Sequence, residues 1–546
     1  MSNHTQVGRT AQPATVSSHD AVVIGAGFSG LYMLHRARDV LGLDVVAFEA
    51  GGDVGGTWYW NRYPGARCDS ESWYYCYSFS EELCHEWQWS SRYPEQPEIL
   101  SYLRHVATRF DLRRDIRFGT RVVSAHFNED SCRWTVVTDD GQVTSCQFLI
   151  SAVGCLSSAN VPSIPGLDAF EGEWYHTGSW PHDGVDFSGR KVGLIGTGST
   201  GIQATPVIAS QAAALTVFQR TPNYSVPARN AALSSAQIAA IREDYSNIWA
   251  TARNSFGGFP YQPSDRSALE CPPDERERIY EELWEHGGFK FLFGSFYDIL
   301  LSEEANSTAA DFIRKKIRET VKDPEVAEAL CPSDYPYGAK RPPIDTDYFA
   351  TFNRDNVRLV DLRSDPIIEI CATGLRTQRG HHELDVIVFA TGFDAMTGSL
   401  ARIDIRGRAG IALQDRWADG PRTYLGLQVA GFPNFFTITG PQSPSVLSNM
   451  PVSIEQHVEW IADCIAHLRT AGKVSIEATA EAEEDWVHHT SELADLTLFS
   501  KAASWYLGAN IPGKKRVFMP YVGGVQGYRE RCSAVAAAGY SGFCLS

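Results

Sequence analysis

Three apolar, β-branched runs without polar alternation punctuate the chain, at residues 21–24, 191–195 and 384–390. Continuous apolar runs of this length predict strands buried on both faces, the pattern of a parallel sheet. Each run ends in a glycine turn: Gly25-Ala-Gly-Phe-Ser-Gly30, Gly196-Thr-Gly-Ser-Thr-Gly201 and Thr391-Gly392. Helical patterns follow the first two turns, over residues 31–40 and 202–214. Residues 231–330 have another texture, rich in Glu, Arg, Ala and Tyr, and a stretch such as 312–321 reads as helix. Mixed strands resume after residue 400, and apolar positions at helical spacing predict a helix over 454–470.

Length and charge narrow this picture. A chain of 546 residues exceeds one ordinary core and predicts two or three domains. No apolar run approaches the roughly 20 residues that a bilayer requires. The net charge of −17 argues against nucleic-acid or anionic-membrane partners. The 12 cysteines include no C-x-x-C pair and no zinc spacing, so no metal is expected. Cys68, Cys76 and Cys84 recur regularly but read as free thiols of a reducing compartment. Residues 1–18 are polar, lack the apolar stretch of a secretory leader, and read as a disordered arm. A cytoplasmic location follows.

The two G-x-G-x-x-G turns carry the first chemistry. Each sits between a strand and a helix, where the first glycine makes the turn, the second admits a pyrophosphate and the third lets helix and strand pack closely. The candidate cofactor residues are thus Gly25, Gly27 and Gly30, then Gly196, Gly198 and Gly201. Glu49 lies about twenty residues beyond Gly30, where an acid accepts hydrogen bonds from ribose hydroxyls and repels a 2′-phosphate. Arg220 lies at the matching distance beyond Gly201, where a guanidinium suits a 2′-phosphate. FAD is therefore expected on the first fold and NADP on the second. The predicted fold is α/β, with two Rossmann-like dinucleotide-binding domains and an inserted helical subdomain. The FAD domain would comprise 19–155 and 388–546, the NADP domain 156–230 and 336–387, and the helical insertion 231–335. A disulfide reductase is disfavoured, because no redox cysteine pair is present.

Longer motifs point further. Phe170-Glu-Gly-Glu-Trp-Tyr-His176-Thr-Gly-Ser-Trp180-Pro181 resembles the fingerprint of type I Baeyer–Villiger monooxygenases, F-x-G-x-x-x-H-x-x-x-W-P. Gly55-Gly56-Thr-Trp58 with Tyr63-Pro64-Gly65 and Asp69, Ala390-Thr-Gly-Phe-Asp394, and Trp505-Tyr-Leu-Gly-Ala-Asn510 are similar to that family too. The resemblance runs from about residue 19 to 546 and is strongest to the phenylacetone, cyclohexanone and steroid monooxygenase group. It implies conversion of a ketone to an ester or lactone with NADPH and O2 through a C4a-peroxyflavin.

The resemblance also assigns residues. Arg341 matches the catalytic arginine and Asp69 its acidic partner, which also borders the cofactor. Lys340 matches a second 2′-phosphate ligand beside Arg220, and Gly56, Trp58, Thr221 and Trp505 join the cofactor set. Ser445, Val446 and Leu447 match a segment that shapes the substrate pocket. Gln442 departs from the glycine expected there, and Pro342-Pro343 stiffens the chain after Arg341. His176 reads as a structural hydrogen-bonder at a domain junction. Two alternatives keep the same cofactors: a flavin monooxygenase oxygenating nitrogen or sulfur, and an NADPH oxidase-type flavoprotein. The native ketone and the oligomeric state stay open; a monomer is compatible with the surface.

Overall fold

The computed structural model describes residues 16–262 and 264–546. Its first sheet contains β1 (Val16–Ile24), β2 (Val45–Phe48), β3 (Ile116–Arg117), β4 (Val122–Asn128), β5 (Arg133–Thr138) and β6 (Val143–Ser151). β1 runs parallel to β2, with Ala21 opposite Val45, and parallel to β6, with Ala21 opposite Phe148. All of β2 and the last four residues of β1 are buried, as the unalternating pattern predicts. Burying each valine, isoleucine or phenylalanine among them stabilises the fold by roughly 1.5–3 kcal/mol. β6 has two partners on its outer edge. Its first half pairs antiparallel with β5, and its last three residues pair parallel with the distant strand Phe435–Thr437.

The second sheet is wholly parallel: β7 (Glu173–His176), β8 (Lys191–Ile195), β9 (Ala214–Gln219), β10 (Val357–Asp361) and β11 (Val386–Phe389), in the order β10-β9-β8-β11-β7. A three-stranded antiparallel flap, residues 367–383, packs Ile370 and Leu375 against its Phe218 and Phe389.

The helices begin at the glycine turns themselves. Phe28–His35 starts directly after Gly27, and Ser199–Gln211 directly after Gly198. Both start earlier than the apolar periodicity suggested, because the turn supplies the first helical residues. The stretch expected to continue to residue 40 changes character into a π-turn, Arg36–Val40. The later helix starts at Met450, four residues before the expected 454, with a proline in its first turn where the missing N–H costs nothing.

Residues 231–335 hold the helices Ser235–Arg253, Pro273–His286, Glu303–Thr320 and Pro324–Leu330; Ser234 and Gln237 form a reciprocal cap at the first. The arm expected at 1–18 falls largely outside the described residues. Its last three are instead strand, paired with residues 143–145. Cys68, Cys76 and Cys84 are buried free thiols. No described helix is long and apolar enough to cross a membrane.

Candidate active site

Both glycine turns open into one cleft of about 1230 Å³. This exceeds the roughly 300–1,000 Å³ usual for a single small ligand, and suits two dinucleotides. At the first turn, a Cβ on Gly27 would come within 3.2 Å of the Gly56 Cα, so the two backbones meet where Gly56 holds φ +52°. A Cβ on Gly30 or Gly201 would lie within 1.9 or 2.1 Å of a turn carbonyl, Gly25 or Gly196, which is the close helix–strand packing expected of the third glycine. Gly198 differs: no protein atom lies within 4 Å of where its Cβ would be, leaving the backbone open to the cleft. These cradles fit two pyrophosphates.

Glu49 directly follows β2 and is 5% exposed. Its Oε2 accepts from the Ala26 N–H and its Oε1 from the Gly51 N–H, both at 2.7 Å. Burial pushes its pKa up, while those amides and Arg121 resist the rise. A carboxylate has about four lone-pair positions, so each oxygen keeps acceptor capacity for a ribose hydroxyl.

At the second fold Arg220 stands exposed after β9 and makes no hydrogen bond or ion pair among the described residues. Lys340 lies with its Nζ 4.2 Å above the Tyr335 ring. Burial, then the charge of Arg220, push the Lys340 pKa down to about 8 against the pull of Asp334. Two cations that repel each other at one edge of the cleft form a receptor for a dianion. Thr221 lines the same edge, and its carbonyl accepts from Thr197 Oγ1 at 2.8 Å, tying strand end to glycine turn.

Arg341 and Asp69 face each other in this cleft. Nε donates to Asp69 Oδ2 at 2.9 Å and Nη2 to Oδ1 at 2.8 Å, a fork-to-fork pair. Nη1 donates to the Val446 carbonyl at 2.7 Å, and the guanidinium lies 4.9 Å from the centre of the Phe289 ring. Burial alone would depress the Arg341 pKa; Asp69 more than offsets it, so the side chain is held as a permanent cation. Trp58 lines the wall at 7% exposure, its indole N–H donating to the Tyr75 hydroxyl. Trp505 also lines the cleft, its ring 4.4 Å from that of Tyr506.

The loop that brings Val446 to Arg341 is strained. Thr439, Gln442 and Ser445 all hold positive φ, at 54°, 65° and 40°. Non-glycine residues pay for this conformation, and surrounding bonds must hold them there. Gln442 Oε1 accepts from the Thr423 N–H and hydroxyl, its own N–H donates to the Met519 carbonyl, and its carbonyl accepts from the Trp486 indole. His457 accepts the Thr439 N–H at 2.9 Å; burial holds its pKa down to about 3, so the ring stays neutral.

Of the three pocket residues expected here, Val446 lines the cleft. Ser445 is fully buried, its hydroxyl bonded to the Thr439 carbonyl, and Leu447 packs on the cluster around Met396 and Phe499. His176 bonds within its own turn, its Nδ1 accepting from the Gly178 N–H at 3.0 Å. Phe289 and His457 carry no motif signal. The left-handed backbone of Gln442 could have been suspected from the glycine it replaces.

Comparison with known proteins adds the following. Residues 18–228 match the family model for flavin-binding monooxygenase-like proteins. A Baeyer–Villiger monooxygenase of Pseudooceanicola batsensis is 49% identical over 524 residues, covering 96% of this chain and 95% of that protein. A phenazine N-monooxygenase of Lysobacter antibioticus is 47% identical over 528 residues, covering 96% and 97%. The structure of an oxidized steroid monooxygenase bound to NADP superposes with a TM-score of 0.93 at 55% identity, covering 97% of this chain and 99% of that one.

Proposed function

The chain belongs to the Baeyer–Villiger monooxygenases, enzymes that use FAD and NADP to turn a ketone into an ester or lactone, and from that premise we propose which of its residues carry the reaction. The carrying observation is the Arg341–Asp69 pair, lining one cleft with both glycine turns. Molecular oxygen is the oxidant we assign.

Glu49 and the first glycine turn hold FAD by its ribose and pyrophosphate; Arg220, Lys340 and the second turn hold the phosphorylated dinucleotide. When bound, the flavin supplies the redox chemistry, accepting hydride from the reduced nicotinamide and delivering an oxygen atom to the ketone. Arg341 stabilises the negative charge that develops on the ketone oxygen. A guanidinium of raised pKa donates hydrogen bonds without surrendering its proton, so it does not quench a nucleophilic oxygen. Asp69 aims the fork, the Val446 carbonyl fixes its third side, and Phe289 shields one face from water.

A second reading, oxygenation of an aromatic nitrogen, draws on the phenazine relative. One assay separates the two: NADPH and ¹⁸O₂ with a panel of ketones, nitrogen heteroaromatics, amines and sulfides, following label into product against peroxide release. Labelled ester supports the first reading; labelled N-oxide alone would replace it. Twelve free thiols suit a reducing compartment, and we place the enzyme in the cytoplasm.

A further inference from the structure

Arg341 is held from two sides, and both holds trace back to one short segment. Asp69 grips the guanidinium edge directly. Two positions on, Glu71 is 2% exposed and does not line the cleft. Its oxygens accept from Arg92 Nη2 at 2.9 Å and from the Tyr261 hydroxyl at 2.7 Å. Burying a charged pair is costly, and what this one holds is a backbone turn.

The other arm of Arg92 reaches the helical insertion. Nη1 donates to the His286 carbonyl at 2.7 Å, and Nη2 lies 3.2 Å from His286 Nδ1. His286 ends the helix Pro273–His286, and Gly287 and Gly288 follow in left-handed backbone, at φ +72° and +71°. A Cβ on Gly288 would lie 2.0 Å from the Tyr93 hydroxyl, and the Gly288 N–H donates to the Pro227 carbonyl at 2.9 Å. The turn is thus clamped between Arg92, Tyr93 and Pro227. The next residue is Phe289, whose ring centre lies 4.9 Å from the Arg341 guanidinium. The contacts close a circuit from Asp69 through Glu71, Arg92, His286 and Phe289 to Arg341, and so back to Asp69. Asp69 sets the direction of the fork, while the aromatic face sets its tilt and takes the place of water on that side.

We propose that Glu71 and Arg92 are positioning residues for oxygen transfer, acting through the Gly287–Gly288 turn to seat Phe289 on Arg341. The proposal rests on the reading that Arg341 stabilises the developing oxyanion and Phe289 shields it. With the ring displaced, oxygen transfer loses to the competing outcome, in which NADPH, a proton and O2 give NADP+ and hydrogen peroxide. The test is a double-mutant cycle on the FAD-loaded protein, with cyclohexanone or whichever ketone of the panel above the wild type oxidises fastest. It reads the ratio of ester or lactone to hydrogen peroxide. Phe289→Leu should lower that ratio about tenfold, with flavin reduction by NADPH unchanged in stopped flow. Glu71→Gln combined with Arg92→Met removes both charges together, so neither is left buried alone, and should lower it about tenfold too. All three substitutions together should do no worse than Phe289→Leu. A loss of about a hundredfold in the triple variant overturns the proposal, because independent effects multiply. So does a wild-type ratio in the charge-free variant, or flavin reduction slowed by the same factor. If the charge-free variant does not bind FAD, Arg92→Lys enters the cycle with the same expectations, since it keeps a charge beside Glu71 without a planar fork for His286. A wild-type ratio in Phe289→Leu overturns the shielding role beneath the proposal. A wild-type enzyme that forms no ester from any ketone overturns the ketone reading, and the proposal with it.

Discussion

Arg341 and Asp69, 272 residues apart in the chain, meet through two hydrogen bonds of 2.9 and 2.8 Å. A guanidinium has five N–H groups. Asp69 takes two and the Val446 carbonyl takes one, which leaves two for a reacting oxygen. Arg341→Ala should therefore preserve flavin reduction by NADPH in stopped flow and lower ester formation by about 10²–10³-fold. Arg341→Lys should not rescue, because an ammonium cannot hold a carboxylate fork and present two further donors in the same plane. Undiminished ester yield from Arg341→Ala would remove the residue from the mechanism.

Arg220 has no hydrogen-bond or ion-pair partner among the described residues, and its charge acts on Lys340. Its loss should raise the Michaelis constant for NADPH by roughly 10- to 100-fold, the worth of a charge-assisted phosphate bond. The constant for NADH should change little. Equal effects on both coenzymes would place Arg220 outside the 2′-phosphate site.

The lowered pKa of Lys340 predicts a pH dependence with a definite sign. Below about pH 8 the side chain is charged, and the Michaelis constant for NADPH should be flat. Above it the free enzyme loses that charge while the phosphate-bound enzyme keeps it, so the constant should climb by up to about tenfold per pH unit. Lys340→Met should flatten the climb, and NADH should show none. A wild-type profile that stays flat from pH 7 to 10 refutes the assignment.

Gln442 occupies a left-handed backbone position held by bonds from Thr423, Met519 and Trp486. Gln442→Ala loses the side-chain bonds and keeps the strained φ; Gln442→Gly loses the same bonds but not at that cost. Urea unfolding should rank wild type above Gly, and Gly above Ala by about 1 kcal/mol. Alanine outranking glycine would show that strain is not what Gln442 offsets.

Glu455, 2% exposed, accepts from the Ser78 N–H and hydroxyl, and burial pushes its pKa up to about 7. A carboxyl raised above its unfolded value binds more protons when folded. Its stabilising contribution is thus complete below pH 4.5 and is lost as pH rises to 7, by roughly 3 kcal/mol. Glu455→Gln should flatten the stability profile across that window; an unaltered slope would locate the titration elsewhere.

The parts of the molecule legible in the sequence are those governed by local rules. Buried parallel strands announce themselves by unbroken apolar runs, and the two glycine turns by spacing that the phosphate geometry dictates. Glu49 and Arg220 follow, because a strand end fixes where their charges point. What was not legible depends on distant contacts. Phe289 reaches Arg341 from the helical insertion, and His457 reaches Thr439 from a helix beyond the loop. Ser445 and Leu447 do not line the cleft: Ser445 is buried in a left-handed backbone that its residue type does not announce, and Leu447 packs on the cluster around Met396 and Phe499. Val16–Ser18 looked like an arm because its polar side chains hide that its backbone pairs with β6.

The first sheet closes on Phe435–Thr437, which lies beside the end of β6, and the whole second sheet is encoded between those partners. A ribosome therefore delivers every strand of the second sheet before the first sheet can finish. Emerging chains ordinarily fold from the N-terminus forward. Here the order is inverted: the N-terminal half waits with the edge of β6, including Leu149 and Ile150, uncovered until a late strand arrives. Such delayed, long-range pairing is slow and leaves a sticky edge exposed. During synthesis, completion of the first sheet and cover for its exposed edge thus become the same event, set by the arrival of three residues encoded after the whole second sheet.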